Sequence, residues 1–292
     1  MSRLKRALLY GFALMATLAL LGGAGCFLGY IVLKGLPALK VSLIFGDVPP
    51  WEALTLATRV FDGLFPAICG TLCLVLLAVA LALPAGVLTG IWLCHFGTPR
   101  AKAALSLCID TLAGVPSIVV GLFGFSFAVL LHKISNGRLG PGLCVAALSL
   151  AVLVLPGIVR NTQLALAAIG PDTRRAVEAM GATQVQAIYR VYLPMAAPGI
   201  FRGAILALGR CAEDTAAIML TGVVASAGVP YALFGRFEAL SFTVFTIASE
   251  YSGPEELARG YGAALILLLL CAGLFGLSAG IAKRLGTEPS NT

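Results

Sequence analysis

This 292-residue sequence predicts an all-α membrane protein with six transmembrane helices. Three observations carry that fold class. Hydrophobic residues make up 59% of the chain and charged residues only 11%, against about a quarter charged in soluble domains. The mean hydropathy is +0.98. Six continuous apolar segments, near 8–33, 64–94, 105–131, 141–159, 200–222 and 260–282, each reach the roughly 20 residues that cross a ~30 Å hydrocarbon core. They do not alternate at period two, which argues against membrane strands.

The first span opens on "MSRLKRALLYGFALMATLALLGGAGC", which has the look of a signal peptide with a lipoprotein-like Cys26. Its apolar run continues to Val32 with no A-x-A site, beyond the about 7–15 residues of a secretory core, so an uncleaved span is expected. The chain then divides into 1–63 (first span and extracytoplasmic loop), 64–282 (transmembrane domain) and 283–292 (cytoplasmic tail). The stretch "ALSFTVFTIAS", 239–249, is apolar but too short to cross, and is expected to lie at the outer interface or re-enter.

Basic residues orient the spans. With both termini inside, the cytoplasmic segments hold Arg3, Lys5, Arg6, Arg100, Lys102, Arg160, Arg174, Arg175, Arg190, Arg202, Lys283 and Arg284. Against Asp172, Glu178 and Glu288 these leave a net +9, whereas outside seven bases, Arg59 among them, meet seven acids. The overall +7 is therefore a matter of topology, and no nucleic-acid partner is needed to explain it.

Cysteines and histidines suggest no site. The eight cysteines fall almost entirely within spans, and Cys69 with Cys73 at i, i+4 lacks the further ligands a metal needs, so apolar packing is expected. His95 and His132 sit at span ends, as amphipathic side chains often do. "GLSAG", 276–280, matches a hydrolase nucleophile motif by letters. That motif requires a strand–turn–helix elbow, however, and an intramembrane hydrolase built on Ser278 would need a histidine at its depth.

A polar stretch interrupts this apolar chain: "RRAVEAMGATQVQAIYRVYLP", 174–194. Asp172 after Pro171 suits a helix start, and Gly181 suits its end. Thr183 with Gln186 forms a capping-box pattern for a second helix. There Val185, Ile188, Tyr189 and Tyr192 would form one apolar stripe, closed by Pro194. The expectation is a cytoplasmic loop over 160–199 with two short helices. It would either lie on lipid or seat in a groove of a soluble partner.

The pattern here resembles the E-A-A-x3-G-x9-I-x-L-P loop by which permeases of ATP-binding-cassette importers dock their ATPase. This chain reads Arg175-Ala176-Val177-x3-Gly181 and then Val191-x-Leu193-Pro194. Arg175 stands where the family has the first Glu and Val177 where it has the second Ala; a docking contact is still expected, a contact specific to the charge of that Glu is not. The resemblance makes Ala176, Val177, Met180, Gly181, Val185, Ile188, Leu193 and Pro194 the coupling residues. "DTLAGVPSIVVGLFGF", "LPGIVRNTQLAL", "LPMAAPGIFRGAILALGRCAEDTAAIMLTG" and "EELARGYGAALILLLL" look like phosphate-importer permeases of the PstA type, over about 110–282. Where that family shows G-R-x-x-G-E-T, this chain has Glu213 for Gly and Asp214 for Glu.

Intramembrane charge points to the same place. A charge at the bilayer centre costs ~2.5–3.5 kcal/mol on insertion scales and marks function by default. Arg210, ten residues past Ile200, falls near the midplane at 1.5 Å per residue. Gly203, Ala207, Arg210, Asp214, Ala217 and Thr221 would share one helix face, and Asp110, Gly114, Ser117, Gly121 and Gly124 another. Pro116 would free a carbonyl within the second. The candidate substrate path is Arg210, Asp214, Glu213, Asp110, Ser117 and Arg160. Alternatively, Arg210 and Asp214 pair at i, i+4 and serve only as glue.

What the resemblance implies is a type I importer permease fold with cytoplasmic coupling helices, in a bacterial inner membrane, carrying inorganic phosphate or a related oxyanion such as molybdate or sulfate. Its implied partners are two ATPase subunits, a second similar permease, an extracytoplasmic phosphate-binding protein and membrane lipid. The chain contains no G-x-x-x-x-G-K-[ST], the loop that cradles nucleotide phosphates. ATP and Mg are thus expected on the partner, with no cofactor, metal or catalysis here. A self-powered transporter or channel is the alternative from another class.

Overall fold

The computed structural model describes residues 3–55 and 63–284. Arg59, Glu288 and the tail past Arg284 lie outside the described residues. Six helices among the described residues are long and apolar enough to cross a membrane. Among the described residues everything else regular is helical, apart from one isolated bridge between Val223 and Phe237.

Helix α1 (Arg3–Gly35) runs into a 3₁₀ turn (Leu36–Ala38) and two short helices, α2 (Val41–Phe45) and α3 (Pro50–Leu54). It packs chiefly on α13 (Pro254–Arg284). Gly35 lets the two backbones meet, because a Cβ there would lie 2.8 Å from the Tyr261 carbonyl oxygen. Tyr30 and Tyr261 face each other edge-on, with ring centroids 5.7 Å apart.

The core is α7 (Leu143–Ala167) against α4 (Phe65–His95), with α10 (Leu193–Glu213), α6 (Ser117–Ile134) and α5 (Pro99–Ala113) around it. On α4, Ala78, Ala82, Gly86 and Gly90 recur every four residues and are buried. A Cβ on Gly86 would lie 2.6 Å from Ile158, and one on Gly90 2.7 Å from Thr162. Lipid removes the hydrophobic drive between helices, so this close van der Waals packing of small residues holds the pair.

Two spans differ from the sequence reading. The third is not one helix over 105–131. Pro116 has no N–H to continue the helix and pushes Val115 out of the helical region. As a result α5 ends at Ala113, Pro116 caps α6, and α6 alone crosses. The expected shared face from Asp110 through Gly114 and Ser117 to Gly124 is therefore broken.

The fifth span is displaced toward its N-terminal end: it covers 184–213 rather than 200–222. α9 (Gln184–Ala187), a π turn (Ile188–Tyr192) and α10 follow one another without a break. Pro194 does not close the helix. The Leu193 N–H bonds to the Ile188 carbonyl at i→i+5, and the wider turn makes room for a ring that a tight α turn would reject. Thus only residues 168–183, not 160–199, lie between span helices, and they include α8 (Pro171–Ala179). Pro194 continues a span, and Arg160, Arg190 and Arg202 stand on span helices rather than in a loop.

At the other end α10 stops at Asp214, whose carboxylate accepts from the Ala217 N–H at 2.9 Å and starts the short α11 (Ala216–Met219). Residues 214–239 then fold back over the bundle. The Thr221, Gly235 and Leu233 carbonyls accept from the Gly142, Leu143 and Cys144 N–H groups at 2.9, 3.0 and 2.7 Å. Those are the N–H groups that the start of α7 leaves without helical partners. The apolar 239–249 piece forms α12 (Leu240–Glu250), too short to cross, packed on α13 and α4.

Candidate functional site

The groove between α7 and α10 collects three of the six path residues. Gly203 lets α10 approach α7, since a Cβ there would lie 2.6 Å from the Asn161 side chain. One turn-pair further along α10, Arg210 lines a cavity of about 140 Å³ with Gly157, Asn161 and Leu206. It also lines an adjoining one of about 170 Å³ with Asp110, Pro156, Gly157 and Arg160. Leu153 and Gly157, which line both, flank the middle of α7, so Arg210, three residues from the end of α10, stands beside the middle of α7. Nothing sits within 4 Å of where a Gly157 Cβ would be. That glycine faces open groove.

The charges in this groove are unevenly satisfied. Arg160 pairs with the Asp110 Oδ1 of α5 and donates to Ser106 Oγ at 3.0 Å and Gln163 Oε1 at 2.9 Å. Arg210 has no hydrogen bond or ion pair among the described residues, and it is exposed. The expected pairing of Arg210 with Asp214 is not formed: the helix ends between them, and Asp214 is engaged with the α11 backbone. Arg210 as half of a glue pair is thereby removed.

The remaining path candidates sit elsewhere. Glu213 is the exposed last residue of α10, and Ser117 the half-buried first residue of α6. Gly121 and Gly124 serve packing, the first against the Ala216 and Ala217 backbone, the second against Ser149 and Thr221. Asn161 and Gly157 lay inside a quoted stretch without being singled out. What places them in the groove is their spacing from Arg160 on α7.

The coupling stretch builds a second surface. Gly181 adopts φ +70 with open space around it, the left-handed conformation that ends a helix and favours glycine. The capping box is complete: Thr183 accepts from the Gln186 N–H, and the Gln186 side chain accepts from the Thr183 N–H at 3.0 Å. Val177, Ile188 and Tyr192 are buried with Ile91, Leu166 and Ile200, anchoring the segment to the bundle. Ala176, Met180, Val185 and Pro194 are exposed, and Leu193 is half-buried. The expected single stripe therefore splits. The π turn rotates Ile188 and Tyr192 inward and leaves Val185 and Tyr189 outside.

His95 closes this end of α4. Its ring stacks on Tyr192 at 5.5 Å, its carbonyl accepts from Gln184 Nε2 at 2.8 Å, and its Nε2 is buried without a partner. Arg174 reaches across to the Leu166 carbonyl at 3.0 Å. His132 bonds the Leu139 carbonyl at 3.0 Å. Ser278 lies within α13.

The family profile described as "Binding-protein-dependent transport system inner membrane component" matches residues 82–287. The chain is 32% identical over 213 residues to "Phosphate transport system permease protein PstA 1" of Mycobacterium tuberculosis (strain CDC 1551 / Oshkosh), covering 72% of this chain and 67% of that protein. To the "Phosphate transport system permease protein PstA" of Haemophilus influenzae (strain ATCC 51907 / DSM 11121 / KW20 / Rd) it is 28% identical over 247 residues, 84% of this chain and 83% of the other. The chain thus spans about two thirds of the mycobacterial relative's length. A bacterial ABC transporter involved in the import of the acidic polysaccharide alginate superposes at TM-score 0.65 and 15% identity, covering 98% of this chain and 100% of that one. That likeness concerns the fold.

Proposed function

The chain belongs to the binding-protein-dependent transport system inner membrane components, and from that membership we propose that it is the permease subunit of an ATP-driven importer of inorganic phosphate. It is a multi-pass membrane protein, with both termini on the cytoplasmic side by its basic residues. It forms half of the translocation path, with a second permease supplying the other half and an extracytoplasmic binding protein delivering the anion. Two ATPase subunits hold ATP and Mg and dock at 172–194. Their closure moves α8 and α9, and the π turn passes that motion into α10, which carries Arg210.

The single observation that carries this reading is the unpaired guanidinium of Arg210 beside the middle of α7, facing two adjoining cavities. An uncompensated cation there is costly and is offset when an anion passes. The Asp110–Arg160 pair stands beside it and leaves Arg210, among the described residues, the one cation of the groove without a carboxylate. The names of the relatives support phosphate as the anion.

The test is labelled phosphate uptake by the assembled transporter, wild type against Arg210→Gln, at matched expression. Uptake is expected to fall by roughly two orders of magnitude or more, as for loss of an essential charge contact, with ATPase co-purification retained. Competition by sulfate or molybdate but not by arsenate would count against phosphate as substrate. Normal uptake by Arg210→Gln would remove Arg210 from the path.

A further inference from the structure

The groove holds a carboxylate as well as two guanidiniums. Asp110 lines the same cavity of about 170 Å³ as Arg160 and Arg210. At ~30 Å³ per water, that cavity has room for one tetrahedral oxyanion. Asp110 Oδ1 is taken by Arg160, whereas Oδ2 has no hydrogen-bond partner among the described residues. The Asp110 side chain is 57% exposed, so that oxygen is open to whatever occupies the groove.

An acceptor-only carboxylate is an odd lining for an anion path. It repels every anion, unless the anion brings a proton of its own. Resting on the reading of this groove as the anion path, we infer that Asp110 is a specificity-determining residue that selects protonated tetrahedral oxyanions. Hydrogen phosphate carries a P–OH at neutral pH and donates it to Asp110 Oδ2 while its other oxygens face Arg210. Sulfate is fully ionised, has no proton to give, and meets the carboxylate with two acceptors face to face. Arg160 takes up one lone-pair direction of Asp110 and holds the carboxylate in place from α7, with Ser106 and Gln163 fixing Arg160 in turn.

Such a site discriminates by the hydrogen bond that a competitor cannot make, because an oxyanion without a proton sets its own acceptor against the Asp110 carboxylate. The substrates of interest are therefore the hydrogen-bearing oxyanions as a class, phosphate and arsenate, and not tetrahedral dianions in general. Asn161, whose Nδ2 donates to the Gly157 carbonyl at 2.9 Å, adds no charge and does not alter that selection.

The test uses the purified permease–ATPase complex in lipid nanodiscs, without the binding protein, so that upstream selection plays no part. Apparent affinity is read from the anion-dependent rise in unfolding midpoint, titrated with phosphate, arsenate, sulfate and monofluorophosphate. The last is a dianion of phosphate shape without a proton. In the wild type, phosphate and arsenate are expected to bind at least about tenfold more tightly than sulfate and monofluorophosphate. In Asp110→Asn, whose amide can donate as well as accept, that ratio is expected to fall toward one. Ser106→Ala, which loosens Arg160 and keeps the carboxylate, should weaken all four anions together and preserve the ratio.

Equal binding of monofluorophosphate and phosphate in the wild type overturns the inference with no variant required. So does an unchanged ratio in Asp110→Asn, which would leave Asp110 as an anchor for Arg160. Phosphate binding that survives Arg210→Gln undiminished, or no anion-dependent rise in any protein, instead overturns the groove as the path, and this inference with it.

Discussion

The two ends of the bundle are held by different means. On one side, residues 214–239 close over the start of α7, and several of their polar groups are paired within the chain, with Tyr231, Leu233 and Phe234 exposed. Glu238 is 4% exposed, and its Oε1 accepts from the Ala227 and Gly228 N–H groups at 2.8 Å each. The Leu240 N–H donates to Thr71 Oγ1 at 2.9 Å. On the other side, residues 168–192 leave Met180 75% exposed and Tyr189 63% exposed, and His95 Nε2 lacks a partner. Buried polar groups are ordinarily satisfied. At the first end Glu238 and Thr71 find their partners within this chain; at the second, exposed apolar side chains are open to an occupant, and the ATPase is the proposed one.

Substitutions at two positive-φ glycines, Gly222 and Gly181, put that contrast to the test, because one is crowded by backbone and the other faces open space. The larger effect belongs to Gly222, with φ +129 and a would-be Cβ 2.3 Å from the Gly142 backbone nitrogen. Backbone cannot move aside as a side-chain tip can. Gly222→Ala combines conformational strain of about 1–3 kcal/mol with overpacking of about 1–3 kcal/mol. It should lower the unfolding midpoint in detergent by several degrees at least and open 214–239 to protease. A midpoint within a degree of wild type would mean that this end is not locked.

Local signals made one end of the molecule legible in the sequence and left the other unread. Gly181, Thr183 with Gln186, and Asp172 after Pro171 each act on neighbours within four residues, and a single chain shows such pairs directly. The turn at Asp214 was missed because "CAEDTAAIMLTG" is as apolar as a helix, and composition does not separate a helix from a packed irregular segment. Pro194 reads as a stop in the sequence because the π turn that accommodates it depends on burying Ile188 and Tyr192 against Leu166 and Ile91. Asp110 and Arg160 lie fifty residues apart, and only packing of α5 on α7 joins them. Glu238 drew no notice, since its burial comes from the fold of 214–239.

Glu238 gives the intermediate effect. Burial raises its carboxyl pKa above the ordinary carboxylate value of 4.5, against the lowering by the two backbone N–H groups. The folded protein therefore holds this proton more tightly than the unfolded chain. The sign follows: its contribution to stability is fully present below pH 4.5 and is lost as pH rises through the raised value, then stays constant. Glu238→Gln keeps an oxygen for both N–H groups and carries no charge, so the slope of midpoint against pH across that window should flatten. Glu238→Ala strands two buried donors at about 1–3 kcal/mol each and should loosen 214–239 at every pH. A slope identical in wild type and Glu238→Gln would place the titration elsewhere.

The smallest effect on the fold belongs to Gly181, and it sharpens the contrast most. Its φ is +70, and nothing lies within 4 Å of where a Cβ would be. Gly181→Val therefore costs only the left-handed strain of an L-residue, about 1–2 kcal/mol, somewhat raised by β-branching. None of it is overlap with neighbours. That strain is relieved by letting α8 swing relative to α9, because Ala176, Met180 and Val185 are exposed. Val177, Ile188 and Tyr192 remain in their buried cluster, so the protein still inserts and its midpoint drops only slightly. The relation between the two short helices does change, and it is the shape a groove in the ATPase would have to receive. The expected outcome is near-normal membrane insertion, with ATPase co-purification and phosphate uptake both lost. Gly222→Ala should show the reverse order, stability failing first. If Gly181→Val assembles and transports as wild type does, the exposed face of 172–194 is not the docking surface, and the openness of that end needs another occupant, with lipid the next to test by the same measurement in nanodiscs.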